Sequence, residues 1–99
     1  MSNSEYSKIP QAIYERDGPF KEFKQDASIV TVKLQDGDEY QGVLVLYPIY
    51  IIGVQGHKSL PFNPNQIESV KQTSTDLGMR SDSSWVLFSY PGKPHAKSI

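Results

Sequence analysis

Val32-Lys33-Leu34-Gln35-Asp36-Gly37-Asp38-Glu39-Tyr40-Gln41-Gly42-Val43-Leu44-Val45-Leu46-Tyr47 is the stretch on which the fold turns. Val32 and Leu34 alternate with Lys33 and Gln35, the period of two that marks a strand with one covered face. Asp36-Gly37 follows as a hairpin turn, because glycine accepts the positive φ that tight hairpins demand. Tyr40 to Tyr47 is the returning strand. From Val43 onward it is apolar on both faces, so both faces need a cover. Gly42 within it marks a bulge or a sharp bend.

Outward from this hairpin the same grammar continues. Val30 carries the first strand back to Ser28. Pro48 interrupts the apolar run, and Ile49 to Val54 resumes it as a third strand. Gln55-Gly56-His57-Lys58 is a turn, Leu60 to Phe62 a short fourth strand containing Pro61, Asn63-Pro64-Asn65-Gln66 a tight turn, and Ile67 to Val70 the fifth strand. Five short strands joined by tight turns predict a small, strongly bent barrel. One face fills the barrel; the other meets a helix or another subunit.

Ile9, Ala12 and Ile13 stand at helical spacing, with Pro10 suited to a first turn. Pro19 to Lys24, with Phe20 and Phe23 three apart, predicts a second short helix. Gln72 to Ser84 is polar and aperiodic and reads as a linker. Trp85-Val86-Leu87-Phe88-Ser89-Tyr90 is the most β-prone hexamer of the chain and predicts an added strand on an open sheet edge. The organisation is an N-terminal extension (1–17), a barrel (18–72) and a C-terminal extension (73–99) with a β segment at 85–90.

Ninety-nine residues allow one domain. There is no cysteine, so disulfides and thiolate chemistry are excluded. Ten basic residues stand against eleven acidic ones, and no whole-protein basic field exists. Residues 29–70 hold two lysines against four carboxylates; residues 71–99 hold four cations against two carboxylates. No apolar run approaches the roughly 18 residues of a membrane span, and Met1 to Pro10 lacks a signal-peptide pattern. A cytoplasmic protein without membrane contact is expected.

The Val32–Tyr47 stretch resembles the first motif of Sm and Sm-like proteins, including bacterial Hfq: apolar-x-Leu-x-Asp/Asn-Gly-x-x-aromatic/apolar-x-Gly-x-Leu, ending in an aromatic. Phe62-Asn63-Pro64-Asn65-Gln66-Ile67 resembles a degenerate second motif, and Gly18-Pro19-Phe20-Lys21-Glu22-Phe23 resembles the start of the family's N-terminal helix. The resemblance covers residues 18–72. It implies a five-stranded barrel whose copies close into rings of five to eight subunits, the fourth strand of one pairing with the fifth of the next. It also implies single-stranded RNA bound at the pore or a ring face.

Carried over position by position, the resemblance is uneven. Tyr50 falls on the base-stacking position, where an aromatic is worth about 1–3 kcal/mol per base. Ile52 falls where the family has an asparagine that reads the base edge, and isoleucine makes no hydrogen bond. Pro48 replaces an aspartate, Asn63 an arginine and Pro64 a glycine. Pro61, without an N–H, lies on the strand expected to pair with a neighbour.

The expected RNA contacts are Tyr50, Asn63 and Asn65, with Lys33, Lys58 or the tail lysines Lys93 and Lys97 on the backbone. Little base selectivity is expected. The alternative from another class is an oligomeric structural or protein-interaction adaptor, of viral or mobile-element type, without RNA. Asp36, Asp38 and Glu39 crowd one hairpin, but turn chemistry explains them without a cation. His57 and His95 lack a partner at metal spacing, and no nucleophile motif or phosphate loop is present. No enzyme activity, metal or cofactor is expected.

Overall fold

The computed structural model describes residues 6–82, 84–88 and 90. Among these, five strands form one antiparallel sheet: β1 (Glu22–Lys24), β2 (Ala27–Leu34), β3 (Glu39–Leu46), β4 (Tyr50–Val54) and β5 (Ile67–Lys71). Two short helices flank it, α1 (Gln11–Asp17) and α2 (Ser74–Gly78). No described helix is long and apolar enough to cross a membrane.

Strand β2 is the hub. β3 runs along one side of it, from Ala27 opposite Leu46 to Lys33 opposite Glu39. The other side is shared: β1 takes Ala27 and Ser28, and β5 takes Thr31 to Leu34. β4 pairs with the far side of β3.

The expected period of two is realised in both covered faces. Val30, Val32 and Leu34 of β2 join Val43, Val45, Ile51, Val54, Ile67 and Val70 in the main core. Ala27 and Ile29 turn to the opposite face with Leu44 and Ile52. There the cover is the chain's own C-terminal arm, through Met79, Trp85 and Tyr90, together with Phe23. Fully burying one such aliphatic side chain stabilises by about 1.5–3 kcal/mol, so both faces matter to so small a domain.

Each strand pairing carries a register shift, and two of these bulges lie in the β3–β4 hairpin and its pairing with β2. Val30 pairs with Val43 and Val32 with Tyr40, so Gln41 and Gly42 together face Thr31. Gly42 has φ +68°, and a Cβ there would approach Gln55 Cβ to 2.9 Å. Only glycine serves that bend. The second bulge lies in β4: Val45 pairs with Ile51 and Leu44 with Gly53, leaving Ile52 as the extra residue.

Five expectations require correction. The barrel is not closed: no pairing joins β4 to β5 among the described residues. The reason is local. Leu60 to Phe62 is not a strand; Phe62 and Leu60 instead pack onto the main core, and Pro61 has no N–H to give a ladder. The Pro19–Lys24 helix is absent, and Glu22–Lys24 is β1. Phe20 packs on the main core while Phe23 packs on the opposite face, a division that one helical stripe cannot make.

The supposed linker holds α2, whose N-cap Thr73 and third residue Asp76 form a reciprocal capping box. Finally, the described residues of 85–90 are not a strand. Trp85 and Tyr90 pack on the second face and Phe88 on the main core, and Phe88 N–H donates to the bulged Ile52 carbonyl (2.8 Å). Ser89 of that segment, His95 and the tail lysines Lys93 and Lys97 lie outside the described residues.

Candidate nucleic-acid interface

The open sheet is bordered by β4 on one side and by β1 and β5 on the other, and the chain covers parts of the β4 and β5 borders. On β4, Ile9 N–H donates to Ile49 O at 2.9 Å and Ile51 N–H donates to Ser7 O at 2.8 Å, so residues 7–9 lie against it like a short extra strand. Buried Ile9 anchors them in the main core. On β5, the end of α1 supplies side chains instead of backbone. Val70 N–H donates to Asp17 Oδ2 (2.9 Å), and Arg16 Nη2 donates to Glu68 O (2.7 Å). Arg16 and Asp17 also pair with each other at 2.8 Å. The hydrogen bond from Arg16, with help from Val70 N–H, holds the Asp17 carboxyl below its usual range despite partial burial.

The Ser7–Ile9 segment creates the first aromatic, cationic site. Lys8 pairs with Tyr50 across the border, its Nζ 5.9 Å from the Tyr50 ring centre. Tyr6 meets the Tyr50 ring edge-on, with centres 6.0 Å apart. Tyr6 and Lys8, with Ser7, Pro64 and Asn65, line an open cleft of about 380 Å³. An aromatic pair, one ammonium and one amide offer a flat surface, a phosphate contact and a hydrogen-bonding edge.

Of the residues expected to contact RNA, Tyr50 and Asn65 are brought to this cleft or its rim. Asn63 adjoins it, but its side chain accepts from Asn65 N–H (2.9 Å) and so caps the 3-10 turn Pro64–Gln66. Lys33 is elsewhere: it lies six residues along β2 from Ala27, about 20 Å at a strand's rise, between Glu39 and Ser69. Lys58 is on the turn after β4 and lines a different cleft, of about 440 Å³, with His57, Arg80, Asp82, Ser84 and Trp85 among others.

Tyr6 and Lys8 were missed by the sequence reading. The polar–apolar step Lys8-Ile9 directly before Pro10 is the only signal of an extended segment there. Arg80 was also missed, since nothing in the polar stretch around it shows that it meets the turn after β4.

Asp76 is a different kind of polar group. It is 2% exposed. Its Oδ2 accepts from Thr31 Oγ1 (2.8 Å) and Thr73 N–H (2.9 Å), which ties α2 to β2. Its Oδ1 is buried without a partner among the described residues. No group of three or more histidine, aspartate or glutamate side chains is placed to hold a metal among those residues.

Comparison with protein-family models, with curated proteins and with solved structures gives no match.

Proposed function

We propose that the chain is a divergent Sm-like domain that binds single-stranded RNA with little base selectivity. The fold part of this reading is supported by the two-sided β3–β4 hairpin, the glycine bulge at Gly42 and the 3-10 turn leading into a last strand beside the first long one. The observation that carries the RNA part is the Tyr50 site. Its ring stands edge-on to Tyr6 and beside Lys8 near the Asn65 cleft, an aromatic surface and an ammonium chemically suited to base and phosphate. With isoleucine at position 52 packed inward on the second face, stacking dominates and base reading is weak.

The resemblance brings a closed ring of five to eight subunits into the proposal. In such a ring the Ser7–Ile9 segment and the Arg16–Asp17 cap either give way or leave neighbours to meet on the faces. A second reading, a protein-interaction adaptor without RNA, draws on exposed Tyr47, Leu77, Val86 and Leu87.

Fluorescence anisotropy with labelled oligo-U, oligo-A and mixed RNA at low salt separates the two readings. Comparable micromolar binding to all three, weakened by salt and reduced about tenfold in Tyr50→Ala but retained in Tyr50→Phe, supports the RNA reading. No binding to any of the three ends it.

A further inference from the structure

The second cleft, between the Gln55–Lys58 turn and the arm that carries Arg80 and Trp85, lies outside the Tyr50 site and uses different chemistry. Its volume of about 440 Å³ falls in the range of small-molecule sites. Its lining combines two fixed cations, Lys58 and Arg80, with His57 and the half-buried Trp85.

The acidic group at its rim is already committed. Asp82 Oδ1 accepts from Ser84 N–H (2.8 Å) and Ser84 Oγ (2.5 Å), and these two bonds hold its carboxyl below the usual range. The Asp82 carbonyl accepts from Trp85 N–H at 3.1 Å. Asp82 therefore shapes the turn that presents Trp85, and it leaves the cleft with a surplus of positive charge.

Both key side chains are seated. Arg80 Nη1 donates to the Leu77 and Met79 carbonyls (3.0 and 2.8 Å), and its guanidinium lies 5.5 Å from the Phe23 ring centre. Its Nε and Nη2 make no bond among the described residues. Trp85 rests on β4: its Cε3 lies 3.6 Å from the position a Gly53 Cβ would take, an ordinary van der Waals distance. Arg80, which also borders the neighbouring cleft around Phe23 and Leu77, shares this one with the supported indole and Lys58, a combination suited to an anion joined to a flat ring.

We infer that this cleft binds one nucleotide of a single strand, with its phosphate on Lys58 and Arg80 and its base against Trp85. The choice of ligand class rests on the RNA reading above; the location and the residue roles do not. The net positive charge disfavours a metal cation. The cleft starts at Gln55, roughly 17 Å from Tyr50 at a strand's rise, so one strand a few nucleotides long reaches both sites.

Trp85 is the only tryptophan; it lines both this cleft and an apolar one with Leu44 and Ile52, so its fluorescence is assigned to this cleft through Lys58→Glu. Full-length protein is titrated with uridine monophosphate and with hexauridylate, following Trp85 emission, while anisotropy of labelled hexauridylate reads total binding. The expected result is saturable quenching by both ligands, reversed by inorganic phosphate. Lys58→Glu should weaken it at least tenfold. Circular dichroism confirms that the variant is folded. Anisotropy without quenching overturns the cleft and leaves the RNA reading standing; the absence of both signals overturns the two together. Quenching that is indifferent to Lys58→Glu and to phosphate overturns the assignment of the phosphate.

Discussion

Asp17→Ala is the substitution through which the capped border of β5 is best tested. It removes the only acceptor for the Val70 N–H among the described residues and the partner of Arg16 at the same time. Val70 is 4% exposed, and a buried donor left unpaired costs about 1–3 kcal/mol. The ion pair adds little, because the Arg16 side chain is 56% exposed and surface pairs contribute about 0–1 kcal/mol. The Asp17 side chain is 16% exposed, which lets water reach the freed N–H in part, so about 2 kcal/mol is the expected loss. For a domain of this size that lowers Tm by roughly 10 °C.

Controls sharpen the Asp17 test. Asp17→Asn keeps an acceptor oxygen and should lose about half as much, within the same range for one hydrogen bond. Arg16→Ala frees the carbonyl of exposed Glu68 and breaks the largely exposed pair with Asp17; water satisfies the carbonyl and surface pairs contribute little, so the loss should stay within about 1 kcal/mol. Urea unfolding followed by circular dichroism, with hydrogen exchange at the Val70 amide, measures all three. Equal stability of Asp17→Ala and Arg16→Ala, or unchanged protection at Val70, refutes the capping argument. Acid provides a further check. A carboxyl depressed below 3.8 contributes fully above that value, and the contribution is lost as pH falls through its lower native value. Asp17→Asn should therefore show a shallower loss of stability on acidification than the parent.

Ile9→Ala should cost about 2–5 kcal/mol, since Ile9 is wholly buried in the main core; hydrogen exchange at the Ile51 amide should accelerate more than at Val32. Asp76→Ala leaves buried Thr31 Oγ1 and the Thr73 N–H without their acceptor and should cost about 2–3 kcal/mol, whereas Thr73→Ala, a lost N-cap, should cost about 1 kcal/mol; urea denaturation reads both. Lys8→Ala should reduce the salt dependence of oligo-U binding by about one unit of slope without changing base preference, measured by anisotropy across a salt series.

The alternation at Val30, Val32 and Leu34, the Asp36-Gly37 turn and the doubly apolar run after Gly42 made the central hairpin legible from residues alone. They also showed that two faces needed cover. What covers the second face was not legible: Trp85 was read as strand because its neighbours are β-prone, yet it sits on the sheet rather than beside it. Aromatic content reports burial more reliably than hydrogen-bond pattern, and this arm finds its burial by crossing the face. The same ambiguity misplaced Phe20 and Phe23, whose spacing of three fits a helix but whose burial divides between two faces. The Thr73-x-x-Asp76 signature of α2 was present in the sequence and passed over inside a polar stretch.

The candidate site was legible to a smaller degree, and the cause lies in how the borders are covered. Tyr50 could be singled out because a motif gave it a position. Its companions Tyr6 and Lys8 come from a segment more than forty residues away, and the Asp17–Val70 bond joins residues fifty-three apart. Neither leaves a periodic trace. Yet these long-range contacts decide what kind of surface remains. A five-stranded sheet with bare borders would pair with copies of itself. Here backbone from Ser7–Ile9 lies along the β4 border and a carboxylate–guanidinium pair caps Val70 N–H and Glu68 O on β5. The aromatic and cationic groups that accompany this covering sit at Tyr50 and, at the far end of β4, around Trp85. Recognition by this chain should therefore run through side chains displayed beside its borders rather than through hydrogen bonds of the borders themselves.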